Sequence, residues 1–462
     1  MIASRRVARY FPAVLNLALA AAIMIPQGIA GHAAAFAATS TSKWTVYHHD
    51  RLGTGVYKPT IELSSAHPIW RSPVLQGQLY GEPLVSGSYV YVATTADVVY
   101  ALRAADGAVA WSTTVGTPVP AGDLPCGNIS PTVGIVGTPV IDPGRHEIFA
   151  VADELVNGTP RHYLVGLDTA SGKLLLSQSV DPPGSTPAAQ LQRTGLNLVE
   201  GAVVFGFGGN AGDCSTYHGW VISVPEGGGE AKRFEVDAGA SQGAVWMGGA
   251  APVVDGSKHV WVATGNGSTT SGDPLDSDSV LKLSAGMELL DSFTPASWAQ
   301  DNAADLDLGS TSPVLLPGHV VQVGKSRTAY VLNRGNLGGI GGQQLAVGSL
   351  CGNNFDGGSA FIESTVYLPC RNGTISATVG KSPVSLTVNW SASIASAGPP
   401  ILAGGSVWVI DQSGHLDGLD PSTGAITQQL SIGSTANHFP TPSVGDGLLL
   451  APATNTVVAF AG

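Results

Sequence analysis

Charge is scarce in this sequence: Asp, Glu, Lys and Arg make up only 12% of its 462 residues, and acids outnumber bases 33 to 21. The net charge of −12 excludes a surface built to neutralise phosphates, so no nucleic-acid partner is expected. No Lys/Arg-rich run follows the first ten residues, which leaves no polybasic patch for an anionic membrane. The four cysteines form neither CxxC nor CxxCH, which disfavours a zinc knuckle or covalent haem. No G-x-S-x-G nucleophile elbow stands out, and neither a phosphate-binding P-loop nor H-E-x-x-H occurs, so neither a triad hydrolase nor a zinc peptidase has support. Beyond residue 25 no apolar run is long enough to cross a bilayer.

What is abundant points the other way. There are 61 glycines and 30 prolines among many Val, Thr and Ser, with a hydrophobic fraction of 44%. That composition describes an all-β chain with many tight turns and excludes disorder. The N-terminus reads as a processing segment. Arg5, Arg6 and Arg9 precede the apolar run "FPAVLNLALAAAIMI" (11–25), and "AFA" at 35–37 supplies small residues for cleavage after Ala37. The expected domains are therefore a signal peptide over 1–37 and one folded unit over 38–462. The paired arginines leave general and twin-arginine export both open. With no cysteine before Cys126 there is no lipid attachment site, so a secreted or extracytoplasmic protein without a membrane anchor is expected. In that compartment Cys126, Cys214, Cys351 and Cys370 favour two disulfides. Of three possible pairings, Cys351–Cys370 is preferred because both fall on neighbouring strands of one repeat, leaving Cys126–Cys214.

The repeat is the main signal. "VYALRAADGAVAWS" (99–112) returns as "LVGLDTASGKLLLS" (164–177) and "LDGLDPSTGAITQQ" (416–429). Leucine holds the fourth place (Leu102, Leu167, Leu419) and glycine the ninth (Gly107, Gly172, Gly424). The stretch 81–112 reads as strand, Gly turn, strand, short turn, strand, Asp-Gly turn, strand. Four such antiparallel strands make one blade of a β-propeller. Further copies open near residues 137, 197, 249, 309, 357, 398 and 438. The last stops after three strands, and "HPIWRSP" (67–73) near the other end of the chain offers the fourth. The fold predicted is an eight-bladed all-β propeller whose ring is closed by its N- and C-terminal strands, leaving no free sheet edge. Seven blades with a decorated end is the alternative. Trp111 and its equivalents are expected to pack between blades.

These sentences resemble the repeat of the pyrroloquinoline-quinone (PQQ) dependent alcohol dehydrogenases. The same repeat occurs in relatives without the cofactor, such as the scaffold lipoprotein of outer-membrane β-barrel assembly. Stretches such as "LPCGNISPTVGIVGTPVID", "GDCSTYHGWV" and "DLDLGSTSPVLL" are similar to exported bacterial propellers of the same repeat. The resemblance implies site residues position by position. Asn266 in "VATGNGS" stands where the enzymes offer an amide oxygen to Ca²⁺, a cation that prefers such donors; read alone, it suits a Gly-Asn-Gly turn. Asp305 and Asp307 in "NAADLDLGS" stand where the enzymes carry a catalytic base or metal ligand; alone, they suit a solvated loop. Lys325 in "KSRTAYVLNR" matches the basic residue that contacts the quinone oxygens, and Trp246 in "AVWMGGAAP" can supply the ring on which a flat quinone stacks. Asp213 in "GDCSTYHGW" is the nearest acid to the glutamate that the enzymes give to Ca²⁺.

Two departures count against catalysis. No adjacent cysteine pair exists, and Asp213 is one carbon shorter than the glutamate it would replace. The leading expectation is therefore a monomeric scaffold that binds a protein or small molecule at one propeller face. The alternative is an alcohol or sugar dehydrogenase using PQQ and Ca²⁺, with Asp305 or Asp307 as base, Trp246 and Lys325 on the quinone, and Asn266 and Asp213 on the metal.

Overall fold

Alternating Val, Tyr and Ala along Tyr89–Ala93 and Val98–Arg103 give two strands that pair antiparallel, with Tyr91 opposite Ala101. Leu84–Ser86 lies inside them and Val109–Thr114 outside, completing the first blade. The computed structural model describes residues 43–59, 66–434 and 437–461, and the expected leader lies outside these. Eight such sheets follow one another in a ring. Their inner strands are Leu84–Ser86, Val140–Asp142, Asn197–Val199, Val253–Val254, Val314–Leu316, Ala360–Ile362, Ile401–Ala403 and Ser443–Gly445. The core is a chain of inter-blade layers rather than one centre, since clusters of buried Val, Leu, Ile and aromatic residues span neighbouring blades.

The ring closes as the sequence predicts. Trp70–Arg71 pairs with Thr456–Ala461 as the outer strand of blade eight, with Trp70 opposite Ala459. Both expected disulfides form, Cys126–Cys214 and Cys351–Cys370.

The recurring glycine and tryptophan have one physical explanation. The indole nitrogen of Trp70 donates to Ala104 O at 2.8 Å, that of Trp111 to Thr169 O at 3.0 Å, and that of Trp390 to Pro421 O at 2.8 Å. Each ring thereby caps the glycine-closed turn of the next blade. The turn glycines Gly107, Gly172 and Gly424 have φ of +71°, +70° and +73°, and a Cβ on any of them would lie within 2.5 Å of the covering indole. The motif is a blade-to-blade clasp.

The segment 44–57 does something the repeat does not announce. It threads the channel and bonds to the inner edge of one blade after another. Trp44 exchanges backbone hydrogen bonds with Val85, and Thr45 O accepts from Ile141 N. Arg51 O accepts from Val254 N and the Asn197 side chain, Thr54 O from Phe361 N, and Gly55 O from Leu402 N. Val56–Tyr57 then runs parallel to Ile401–Ala403. Within this thread His48 is fully buried, with its backbone N–H on Glu82 Oε2 at 2.8 Å. Burial pushes the His48 imidazole down to a pKa of about 4, so it stays neutral.

Candidate functional site

All inner strands enter the channel from the same end, and the residues just ahead of them form a cavity of about 580 Å³ on the axis. The thread fills the channel beyond it, with Trp44, Val46, Tyr47 and His48 all buried. The cavity therefore opens toward one face. Its rim includes Asn128 and Ile129 from one loop and Gly212 and Asp213 from another, the two loops being joined by Cys126–Cys214.

All six residues selected from sequence line this cavity: Asp213, Trp246, Asn266, Asp305, Asp307 and Lys325. Lys325 is the hub. Its Nζ lies 2.5 Å from Asp307 Oδ2 and 2.9 Å from Asp305 Oδ1, and 5.6 Å from the centre of the Trp246 ring. Burial pulls the ammonium's pKa down, but Asp307 and Asp305 outweigh this and hold it well above the usual lysine range. Asn266 is clamped to the same acids, its backbone N–H donating to Asp307 Oδ1 at 2.8 Å and its side-chain amide to Asp305 Oδ1 at 3.4 Å. The preceding glycine is required here, because a Cβ on Gly265 would lie 2.3 Å from Asp307 Oδ1. Asn266 Oδ1 is buried without a hydrogen-bond partner among the described residues.

Asp213 accepts from the Tyr217 hydroxyl at 2.7 Å. Burial raises its carboxyl pKa, the Tyr217 bond opposes this, and the charges of Asp307 and Asp305 add to the rise. His218, by contrast, lies outside the cavity, 3.6 Å from Glu235, and does not join Asp213.

A family model described as outer membrane protein assembly factor BamB matches residues 46–262. Solved propellers cover most of the chain. Quinohemoprotein alcohol dehydrogenase from Comamonas testosteroni is 16% identical over 91% of this chain and 80% of its own, with a TM-score of 0.69. The corresponding enzyme ADHIIG from Pseudomonas putida HK5 is 14% identical over the same shares, with a TM-score of 0.70. BamB from Moraxella catarrhalis is 12% identical over 87% of this chain and 100% of its own, with a TM-score of 0.58. The chain has the fold of the PQQ-like β-propellers. No curated protein matches it in sequence. At these identities the likeness to solved structures establishes fold alone.

The cavity of this PQQ-like propeller also holds residues the sequence did not single out. Tyr80, Arg193, Asp356 and Phe439 each stand four residues ahead of an inner strand, a slot that becomes visible only once strand starts are known. Trp246 and Asp307 stand seven ahead of theirs. Arg371 and His438 complete the wall. Trp246 and Phe439 meet with ring centres 5.9 Å apart, and the guanidinium carbons of Arg193 and Arg371 each lie 5.9 Å from the Phe439 ring centre. The cavity thus has an acidic side built around Lys325 and an aromatic, cationic side built around Phe439.

Proposed function

We propose that this protein is a secreted binding propeller whose working site is the axial cavity, and that it takes a small molecule rather than using its face loops alone. The observation that carries this reading is the convergence of Asp213, Trp246, Asn266, Asp305, Asp307 and Lys325, drawn from three consecutive blades, on one cavity. Its volume of about 580 Å³ falls within the ~300–1,000 Å³ typical of small-molecule sites. Aromatic walls beside a few convergent charged groups are what such sites use to fix a ligand's orientation.

The test is to fill the space. Ala211 lines the cavity and is exposed, so Ala211→Trp should leave folding intact while obstructing entry. Thermal-shift and tryptophan-fluorescence screens of metabolite pools should give hits with the native chain that this variant loses. Hits retained in full by the variant, or no hits with the native chain, would return the function to the loops and to a protein partner.

A second reading, a quinoprotein dehydrogenase, is favoured by one arrangement: Lys325 stands between an acid pair and the Trp246 ring. A bound quinone would supply the two-electron acceptor. Trp246 offers a face for its ring, Lys325 a cation for its oxygens, and Asp307 or Asp305 a carboxylate able to hold the substrate's hydroxyl proton. The calcium share of this reading fits less well. Asn266 Oδ1 is a suitable donor, yet among the described residues no three acids, histidines or cysteines gather as metal ligands. Titration with PQQ, with and without Ca²⁺, decides it. Saturable binding that weakens in Trp246→Leu and Lys325→Gln supports the dehydrogenase, and its absence at micromolar quinone leaves the binding propeller.

A further inference from the structure

Arg193 is a buried cation without an acid. It is only 6% exposed, and among the described residues no carboxylate lies within ion-pair distance of it. Two of its five N–H donors go to backbone carbonyls, Nη1 to Val136 O and Nη2 to His438 O, both at 3.2 Å. The rings of Tyr80 and Phe439 flank it, 5.7 and 5.9 Å away. Burying a charge in such surroundings is costly unless something pairs with it. The neighbouring groups do not relieve this. Arg371, on the other side of Phe439, has only a long contact with Asp356, 4.0 Å between Nε and Oδ2. Burial, together with the charges of Arg193 and Arg371, lowers the pKa of His438, so the imidazole adds no charge. The cavity's remaining acids, Asp305 and Asp307, are engaged by Lys325, and Asp213 is engaged by Tyr217.

We propose that the ligand of the axial cavity is an organic acid, and that Arg193, with Arg371 across Phe439, holds its carboxylate. This rests on the cavity being the working site and names the chemical class of its occupant. A carboxylate is an anion that a guanidinium fork pairs well, through two parallel N–H···O bonds. The part of the ligand next to that group lies against Phe439 and Trp246. The acidic side around Lys325 disfavours a second anionic group there and suits hydroxyls instead, through the carboxylate oxygens of Asp305 and Asp307.

The experiment uses pairs of probes that differ only in the acid: gluconate against glucose, and benzoate against benzyl alcohol. Binding to the full mature chain is read by tryptophan fluorescence and thermal shift. The acid of at least one pair should bind roughly tenfold or more tightly than its neutral partner, in a salt-sensitive manner. Arg193→Gln and Arg371→Gln should each lose that advantage, while Arg193→Lys keeps part of it. Arg371 is half-exposed and so provides a variant whose folding is not at stake. Neutral probes that bind as well as acids, or acids that bind the glutamine variants unchanged, overturn the acid assignment and leave the cavity reading standing. No binding by any probe, with Ala211→Trp also without effect on any metabolite screen, overturns both.

Discussion

The indole of Trp70 covers Gly107 across the seam where the two ends of the chain meet. Trp70 belongs to blade eight and Gly107 to the turn of blade one, and a Cβ on the glycine would lie 2.4 Å from Trp70 Cε3. The clasp that joins other blades in sequence therefore also joins the last to the first. Gly107→Ala meets two penalties there: about 1–2 kcal/mol for a left-handed residue with a side chain, and a displaced indole. A loss of roughly 2–4 kcal/mol in urea denaturation is expected. Trp70→Ala should cost roughly 3–5 kcal/mol, and the double variant less than the sum, because the second change removes the clash of the first. Additive losses would show that the two residues do not act as one clasp.

The thread crossing the channel depends on Tyr47. Its hydroxyl accepts from Gly358 N at 3.1 Å and lies 3.4 Å from Thr441 Oγ1, so one side chain ties blade six to blade eight. Tyr47→Phe leaves the Gly358 amide buried without its acceptor, a cost of about 1–3 kcal/mol. A lower urea midpoint with an unchanged slope is expected. A stability equal to the native chain would mean that the thread is held by its backbone bonds alone.

Much of this architecture is legible in the sequence because a propeller repeats its instructions. Alternation gave the strands, Gly107, Gly172 and Gly424 the turns, and Trp70 the closing strand. The acidic side of the cavity was legible for a different reason: Asn266, Asp305, Asp307 and Lys325 sit in local sentences that resemble a known site. Arg193, Arg371 and Phe439 do not. Each is a single residue in an unremarkable loop, brought to the axis only by the closing of the ring. The course of 44–57 was hidden as well, since backbone bonds to five of the blades leave no side-chain pattern to read.

Asp237 predicts a pH dependence. It is fully buried, and both its carboxylate oxygens lack a hydrogen-bond partner among the described residues. Burial chiefly, with a contribution from the charge of Asp276, raises its pKa to about 7. A carboxyl raised in the folded state holds its proton there more tightly than in the unfolded chain. Its stabilising contribution is thus complete below the unfolded value near 4 and falls away as pH climbs to about 7. Asp153, also raised to about 7 by burial, acts in the same direction. Thermal unfolding followed from pH 4 to pH 8 should show a declining midpoint, and Asp237→Asn should flatten part of the decline. A slope that this substitution leaves untouched would assign the loss to other groups.

Lys325 offers the sharpest separation of structure from function. With Asp307 only 11% exposed, Lys325→Met leaves a carboxylate stranded beside the cavity. Partial exposure moderates the roughly 3–5 kcal/mol seen for fully buried pairs, so a loss of about 2–4 kcal/mol near neutral pH is expected. Adding Asp307→Asn removes the stranded charge and should recover most of that stability, a coupling that a double-mutant cycle in urea measures directly. Binding should not recover with it. If Lys325 and Asp307 serve the ligand, the double variant will be stable and empty of affinity for whatever the screens identify. A double variant that regains both would make the pair a structural clasp, and would shift the weight of recognition onto Arg193, Arg371 and the aromatic wall between them.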